Sequence, residues 1–203
     1  MSFKMSFKKY WARQFGFPTG FGGKIATFIM NRLNGKSYEA AISKAPKSGK
    51  ILDIGFGNGY LIKKLAKKTA ATIHGIDISI DMLSAATKRN KRAVKSGKVV
   101  LTKGSVDNIP IDTQFDFIYT VNTVYFWEDL MAGLIAIKDK LKDGGTFINV
   151  LYTNEFLNKI SHTQYGYAKY ETKELIKATV KAGFNAKMIQ IEKGKSYYIL
   201  ATK

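Results

Sequence analysis

One short stretch constrains the fold of this chain more than any other. Residues 51–54 are mostly apolar and predict a buried strand, Gly55, Gly57 and Gly59 follow, and residues 61–66 have the period of an amphipathic helix. Glycine lets a backbone pass close to a ligand with positive φ angles and no side-chain clash. The N-terminus of the following helix presents free N–H groups and its positive dipole end to the same place. This arrangement predicts a site for a nucleotide-type cofactor.

The spacing of the glycines decides which cofactor to consider. A dinucleotide-binding turn has the pattern G-x-G-x-x-G, which would need a glycine where Tyr60 stands. The chain instead has D-x-G-x-G-x-G from Asp53 to Gly59. This pattern resembles motif I of the class I S-adenosylmethionine-dependent methyltransferases. The residues that this resemblance implies for the cofactor are Asp53, Gly55, Phe56, Gly57 and Gly59. A tight strand-to-helix turn without a ligand is the alternative interpretation.

A second motif follows the next predicted strand. Asp77 lies at the end of that strand, 24 residues after Asp53. A carboxylate at this place can accept hydrogen bonds from both ribose hydroxyls of a nucleoside, and such charge-assisted bonds are the stronger ones. Helix capping by the aspartate is the alternative. The run from residue 75 to residue 86 resembles the family pattern G-x-D-x-S-x-x-M-L-x-x-A, which implies that Ile78 and Met82 also contact the cofactor.

Two later loops complete the predicted cofactor site. In the family, the loop after strand three lies along the adenine, and its common form G-D-A-x-x-L-P has an acid where this chain has Ser105. A hydroxyl accepts a hydrogen bond more weakly than a carboxylate does, and the backbone N–H of Val106 is expected to reach an adenine ring nitrogen. Asp107 is expected to shape the turn. The resemblance implies that Asn122, just after strand four, approaches the methionine part of the cofactor.

No strong catalytic base is evident in the sequence. Tyr125 opens the aromatic run Tyr-Phe-Trp, for which core packing and a place at the acceptor are both open, and it is one catalytic candidate. His162 is the other, because it lies in the tyrosine-rich segment 153–170, where the family often places a substrate lid. A solvated loop histidine is the simpler interpretation of His162. His74 lies mid-strand and is expected to pack in the core. No metal site is predicted.

Strands and helices alternate from residue 50 onward, which predicts a mostly parallel sheet with helices on both faces. A tight turn at residues 193–195 makes the last two strands antiparallel. This pattern resembles the doubly wound, seven-stranded α/β fold of the class I methyltransferases. Strands are predicted at residues 51–54, 72–77, 98–102, 115–121, 146–152, 186–191 and 196–201. Helices are predicted at residues 24–33, 37–45, 61–66, 80–94, 128–141 and 172–182.

The length of 203 residues predicts one domain. Residues 1–48 are expected to form a helical N-terminal lid, 49–152 the cofactor-binding core, 153–170 a lid segment, and 171–203 a C-terminal helix and hairpin. Within the first segment, residues 15–20 resemble an F-G-x-P-x-G segment found in a group of small methyltransferases that share the Tyr-Phe-Trp run.

The chain is strongly basic, with 33 lysines and arginines against 15 aspartates and glutamates and a net charge of +18. Such a charge favours contact with polyanions. Lysines recur along the whole sequence, however, so the simpler interpretation is lysine spread over every solvated face. There is no cysteine, no apolar run of the ~20 residues that span a membrane, and no signal-peptide pattern. A cytoplasmic protein is expected, and the sequence gives no indication of oligomeric state.

These observations predict an S-adenosylmethionine-dependent methyltransferase that transfers a methyl group in line to a small molecule. An RNA or DNA methyltransferase is the alternative, supported by the net charge. Against it, residues 122–125 lack the prolines of the N/D-P-P-Y/F motif that positions a flipped base. The second alternative is a non-catalytic, nucleoside-binding protein of the same fold, which the departure at Ser105 keeps open.

Overall fold

The computed structural model of the protein describes residues 34–164 and 166–203. Its strands are β1 (Lys50–Ile54), β2 (Thr72–Asp77), β3 (Val99–Lys103), β4 (Phe115–Val121), β5 (Leu141–Tyr152), β6 (Asn185–Glu192) and β7 (Ser196–Thr202). Its α-helices are α1 (Gly35–Lys44), α2 (Tyr60–Leu65), α3 (Ile80–Arg89), α4 (Lys91–Lys95), α5 (Leu130–Lys140), α6 (Asn154–Asn158) and α7 (Thr172–Lys181). Short 3₁₀ helices cover Val124–Phe126 and Ser161–Gln164.

The strands form one seven-stranded sheet in the order β3-β2-β1-β4-β5-β7-β6. Strands β1 to β5 are parallel to one another, and β7 is antiparallel to both β5 and β6. The predicted fold class is therefore confirmed. The chain order reverses between β1 and β4, and this is the place where open α/β sheets bind ligands at the carboxyl ends of their strands.

Helices pack on both faces of the sheet. Apolar side chains of α1, α2, α3 and α4 form one core with the first face, and those of α5, α6 and α7 form another with the second face. Residues of β1 and β4 contribute to both cores, as expected for strands covered on two sides. Helix α1 contacts β4, β5 and β6, so it lies over the sheet, and its first turn reaches the carboxyl edge.

Two elements differ from the sequence prediction. The helix predicted at 80–94 is two helices that meet at Asn90, whose buried side-chain amide donates to the carbonyls of Gly59 and Ala86 at 3.1 and 2.9 Å. This side chain ties the break to the turn that precedes α2. Between β3 and β4, residues 104–114 form no helix, and none is predicted there. Strand β5 begins earlier than predicted, because Leu141 pairs with Phe115 before the register shifts.

The segment 153–170 is less irregular than predicted. It contains α6, which begins where the Thr153 hydroxyl accepts from the backbone N–H of Phe156 at 3.1 Å, and the second 3₁₀ helix. The helix predicted at 24–33 and the segment 15–20 lie outside the described residues. Of the predicted N-terminal lid, the structure describes residues 34–48.

Candidate active site

A cavity of about 230 Å³ opens at the carboxyl ends of β1, β2 and β4. Ten of the eleven residues predicted for the cofactor line it. These are Asp53, Gly55, Phe56, Gly57, Asp77, Ile78, Met82, Ser105, Val106 and Asn122. The eleventh, Gly59, lies behind the wall as the N-cap of α2. Four sequence motifs that are far apart in the chain thus converge on one space.

The glycine turn after β1 forms the floor of this cavity. Gly55 and Gly57 have φ angles of +76° and +53°, in the left-handed region that favours glycine. A Cβ atom at Gly55 would lie 2.4 Å from Cγ2 of Thr123, so the turn packs directly against the loop after β4. A Cβ atom at Gly57 would meet nothing within 4 Å, because that position faces the open cavity. Gly57 therefore leaves room where a ligand can approach the backbone.

Asp77 connects the end of β2 to this turn. Its carboxylate accepts from the backbone N–H of Gly57 at 2.8 Å and from that of Ser79 at 2.9 Å. Burial raises the pKa of Asp77, and the two backbone hydrogen bonds lower it. Each carboxylate oxygen has a second lone pair, so hydroxyl donors of a ligand can still be accepted. Ser79 also caps α3 as predicted, accepting from the N–H of Met82 at 3.3 Å.

Asp53 is a second carboxyl in the wall, and its environment is quite different. It is 3 % exposed, and the Tyr119 hydroxyl donates to it at 2.8 Å. Burial raises the pKa of Asp53 to about 8, although the hydrogen bond from Tyr119 acts in the opposite direction. Burial and the nearby Asp53 also raise the pKa of Tyr119. The neutral form of Asp53 is therefore favoured up to about pH 8.

The predicted adenine end has an apolar wall and one polar corner. Ile78 lines the cavity and is 46 % exposed, so it offers an apolar surface on which a flat ring can rest. Val106 lies in the same wall and is nearly buried. The Ser105 hydroxyl donates to the carboxylate of Asp107. Asp107 does not line the cavity in the described chain, so it holds the Ser105 side chain within the turn and does not take the place of the family's acid.

Asn122 is held in a strained conformation at the end of β4. Its φ of +57° is the only positive φ of a non-glycine residue in the described chain. Its side chain donates to Oδ1 of Asn34 at 2.9 Å and accepts from the Tyr125 hydroxyl at 3.2 Å. The Tyr152 hydroxyl donates to the same Asn34 oxygen at 2.6 Å. This network joins the ends of β4 and β5 to the start of α1.

The aromatic run after Asn122 divides between core and cavity. Tyr125 is buried, and its hydroxyl also accepts from the backbone N–H of Tyr152 at 2.6 Å. It does not line the cavity, so its placement favours support of Asn122 over contact with an acceptor. Phe126 and Trp127 do line the cavity. Trp127 is fixed by the hydrogen bond that its ring N–H donates to the Thr123 hydroxyl at 3.2 Å.

The two histidines contribute little to the described site. His74 lies in the middle of β2, where its ring meets Phe115 edge to face at 5.4 Å. Burial lowers the pKa of His74, and its Nδ1 has no hydrogen-bond partner within the described chain. This agrees with a packed core histidine. The side chain of His162 lies outside what the structure describes, so its catalytic role stays a prediction.

Sequence reasoning missed several residues of the cavity wall. Asn34, Tyr38 and Glu128 line it. Asn34 reads as the end of a preceding helix because glycine follows it, whereas it stands at the start of α1 with a buried side chain. Tyr38 lies one turn further along α1, and burial raises its pKa to about 12. No sequence pattern marks Asn34 and Tyr38, because only the packing of α1 against β4 and β5 brings these two residues to the cavity.

The residues that line the cavity fit S-adenosylmethionine. The open position at Gly57 gives a cradle for the chain of a ligand, and Asp77 offers acceptors for its ribose. Ile78 offers an exposed apolar surface for its adenine. No cluster of three or more metal-ligating side chains occurs in residues 34–164 or 166–203.

Comparisons with known proteins agree with this geometry. A family model described as a methyltransferase domain matches residues 51–145. The uncharacterized methyltransferase YdaC of Bacillus subtilis is 34% identical over 125 residues, which cover 60% of this chain and 67% of that protein. The chain belongs to the class I S-adenosylmethionine-dependent methyltransferases. It is therefore an enzyme whose cofactor is S-adenosylmethionine, and the non-catalytic alternative is not supported.

Other similarities extend the comparison. The malonyl-[acyl-carrier protein] O-methyltransferase of Priestia megaterium is 30% identical over 120 residues. These residues cover 59% of the present chain and only 42% of that relative. Two solved structures share the fold at low identity. A chain from the complex of the Haloferax volcanii Trm112 methyltransferase activator with a methyltransferase superposes with a TM-score of 0.77, at 17% identity and 98% coverage of both chains. A SAM-dependent methyltransferase from Aquifex aeolicus gives 0.71, at 19% identity, 85% coverage of this chain and 92% of that one.

Proposed function

We propose that this methyltransferase transfers its methyl group to a small molecule. The composition of the cavity wall carries the proposal. Although the chain has 33 lysines and arginines, none of them is among the described residues that line the cavity, and three carboxyl groups are. These are Asp53, Asp77 and Glu128. A nucleic-acid acceptor would bring phosphates to this opening and is disfavoured by the carboxylates of Asp77 and Glu128, which no lysine or arginine among the described lining residues offsets. Asp53, whose neutral form is favoured up to about pH 8, adds little to this repulsion.

The wall away from the glycine turn suits a small organic acceptor. Phe126 and Trp127 offer flat apolar surfaces there, and Asn34 and Asn122 offer amide groups. Small-molecule sites combine mostly apolar walls with a few polar groups that fix orientation. The relative from Priestia megaterium is named for O-methylation of a malonyl group held on an acyl-carrier protein, so its named acceptor is not a nucleic acid.

Methyl transfer asks little acid–base chemistry of this chain. When bound, S-adenosylmethionine supplies a methyl group on a sulfonium that is already a good leaving group. The protein has to hold the acceptor in line and exclude water. In our proposal Asp77 fixes the ribose, Gly57 admits the cofactor close to the backbone, and Asn122 borders the methyl group. Of the two predicted candidates for a proton acceptor, His162 stays a prediction, whereas Tyr125 is buried and does not line the cavity.

We also propose that residues 153–170 form the acceptor-side lid. The ring of Tyr167 packs edge to face on that of Phe126 with centroids 4.7 Å apart, and Phe126 lines the cavity. The backbone N–H of Ala168 donates to the carbonyl of Tyr125 at 2.9 Å. These contacts connect the segment to the cavity wall and support the proposed lid.

The alternative, an RNA or DNA methyltransferase, rests on the net charge of +18.

No described helix is long and apolar enough to cross a bilayer. The cytoplasmic location expected from the absence of cysteine stays a prediction.

A labelling experiment separates the two acceptor classes. The enzyme is incubated with S-adenosylmethionine labelled in its methyl group and with cell extract separated into small-molecule, RNA, DNA and protein fractions. We expect enzyme-dependent label in the small-molecule fraction and none with the Asp77→Ala variant. Label confined to the RNA or DNA fraction would establish the alternative instead.

A further inference from the structure

The two faces of the sheet differ sharply in charge. Nine exposed cations lie on the three consecutive helices α2, α3 and α4 and the residues directly after α2, and we call them the basic face. They are Lys63, Lys64, Lys67, Lys68, Lys88, Arg89, Lys91, Arg92 and Lys95. One carboxylate, Asp81, lies on the same helices. These helices therefore contribute +8 (nine cations less one carboxylate) to the net charge of +18.

These helices form one continuous surface. Leu61 of α2, Met82 of α3 and Val94 of α4 belong to the same core beneath it. At the contact between the first two helices, Lys64 and Arg89 both lie over the ring of Tyr60, at 4.9 and 5.7 Å from its centroid. Cations from different helices thus converge, and the basic face is an area of surface, not an isolated row.

The opposite face has no such excess. Its helices α5, α6 and α7, with their adjoining cap residues, have six cations and five carboxylates. The cations are Lys138, Lys140, Lys159, Lys173, Lys177 and Lys181, and the carboxylates are Asp129, Asp139, Glu155, Glu171 and Glu174. Lysine is thus spread over both faces, with seven on the basic face and six on the opposite one, as expected. The two faces differ instead in their carboxylates, of which the basic face has only Asp81.

None of the nine cations of the basic face forms a salt bridge within the described chain. In the described ranges, every salt bridge involves lysines other than these nine cations. Residues 1–33 cannot supply carboxylate side chains, because their sequence contains no aspartate or glutamate. Nine exposed, unneutralised charges repel one another, and a polyanion that binds them would release its own counterions as well.

We propose that the basic face binds the sugar–phosphate backbone of a nucleic-acid duplex. Seven of the nine cations are lysines, which meet phosphates as point charges, whereas bidentate base recognition prefers arginine. Binding is therefore independent of base sequence. An anionic membrane fits less well, since Ile80 of α3 is the one exposed large apolar side chain on these three helices, and a single such residue makes no apolar face that would enter a bilayer. Single strands fit less well too, because Lys64 and Arg89 cover the ring of Tyr60, leaving bases no platform for stacking on these helices.

This docking surface adjoins the methyl-transfer cavity at Tyr60, whose ring lies under Lys64 and Arg89 and also lines the cavity. None of the nine cations lines the cavity in the described chain. The inference therefore holds whether the acceptor is a small molecule or not, and the two proposals are tested by different measurements. Docking on nucleic acid would concentrate the enzyme on a surface without placing phosphates at the cofactor.

The test compares two variants with the same change in net charge. In the first, Lys63, Lys67 and Lys91 of the basic face are changed to glutamate. In the second, Lys173, Lys177 and Lys181 of α7, all exposed, are changed to glutamate. Binding to labelled 20-base-pair RNA and DNA duplexes is measured by fluorescence anisotropy as salt increases. Calorimetric binding of S-adenosylhomocysteine to each variant confirms that the fold is kept, and a triple Lys→Gln version of the first variant serves if the glutamates prevent folding.

We expect the wild type to bind at least one duplex with a dissociation constant of about 10⁻⁶ to 10⁻⁴ M. The basic-face variant should bind at least tenfold more weakly and the α7 variant within threefold of wild type. The slope of log K against log salt should decrease by about two to three in the basic-face variant. Equal weakening in both variants would show that net charge alone acts. Absence of duplex binding, with or without binding to phosphatidylserine vesicles, would overturn the proposal.

Discussion

Two carboxyl groups face the same cavity, and their partners give them different properties. Asp77 accepts from two backbone N–H groups, which stabilise its charged form. Asp53 has a phenol hydroxyl as its partner and almost no contact with solvent, so its neutral form is favoured to about pH 8. Both were predicted from their motifs, but the difference was not, because it arises from Tyr119 on the neighbouring strand β4.

The buried Asp53 should make folding stability depend on pH. Its pKa is higher in the folded than in the unfolded chain, so the unfolded chain loses its proton first as pH rises. Stability from this group is complete below about pH 4 and is lost progressively up to about pH 8, by at most about 1.4 kcal/mol per pH unit. Thermal unfolding of wild type and Asp53→Asn between pH 5 and 8.5 measures it. Wild type should lose more stability over this window than the variant, and parallel curves would contradict the assignment.

Single residues also mark the limit of sequence reasoning. Asp77 could be placed because its distance from the glycine turn is fixed by one strand, one helix and one crossover. Asn34 and Tyr38 could not, because their position depends on how α1 packs against strands more than 70 residues away in sequence. The role of Tyr125 beneath Asn122 likewise follows from a tertiary hydrogen bond.

At the scale of elements, the turn between β1 and α2 has two separable functions. Gly55 permits contact with Thr123, which is held by its hydrogen bonds to Trp127 and Thr120. Gly57 instead leaves the cavity open. One glycine therefore joins two loops into a rigid floor, and the other makes space for the ligand.

Alanine at Gly55 should mainly lower stability, whereas alanine at Gly57 should mainly weaken ligand binding. Gly55→Ala combines a left-handed φ with a clash against a β-branched side chain, so we expect a loss of about 2–4 kcal/mol in unfolding free energy. Gly57→Ala has only the backbone strain, about 1–2 kcal/mol, but its Cβ enters the cavity and should weaken S-adenosylhomocysteine binding at least tenfold. Denaturant unfolding and calorimetry measure the two effects. Equal stability losses, or unchanged affinity in Gly57→Ala, would refute this division.

Most elements could be predicted because their signals are local. The Ser79 cap and the alternation of strands and helices from residue 50 onward depend on neighbouring residues only. The break at Asn90 could not be predicted, since asparagine is tolerated in helices and the reason here is a hydrogen bond to the distant Gly59. The crossover between β3 and β4 has no helix, and in it Gly104 lies against the Pro110 ring.

At the scale of the whole molecule, the cofactor motifs and the basic face lie on different parts of the sheet. The carboxyl edge of the sheet gathers the motifs and three carboxyl groups, whereas one face of the sheet gathers nine cations. The sequence predicts the sheet and the cofactor, because the motifs and the strand pattern agree. It does not predict the charge asymmetry or the acceptor. Both depend on which distant helices and loops become neighbours.

The central claim is that this cavity binds S-adenosylmethionine through Asp77 and the glycine turn. Calorimetric titration of S-adenosylhomocysteine into wild type, Asp77→Ala and Gly57→Val tests it most directly. Asp81→Ala is the matched control, because this exposed carboxylate lies four residues further on and does not line the cavity. We expect wild type and Asp81→Ala to bind alike. Asp77→Ala should lose at least tenfold in affinity, because each hydrogen bond to a charged group contributes about 1.5–3 kcal/mol, and Gly57→Val should not bind measurably. No binding to wild type, or equal affinity in Asp77→Ala, would contradict the account.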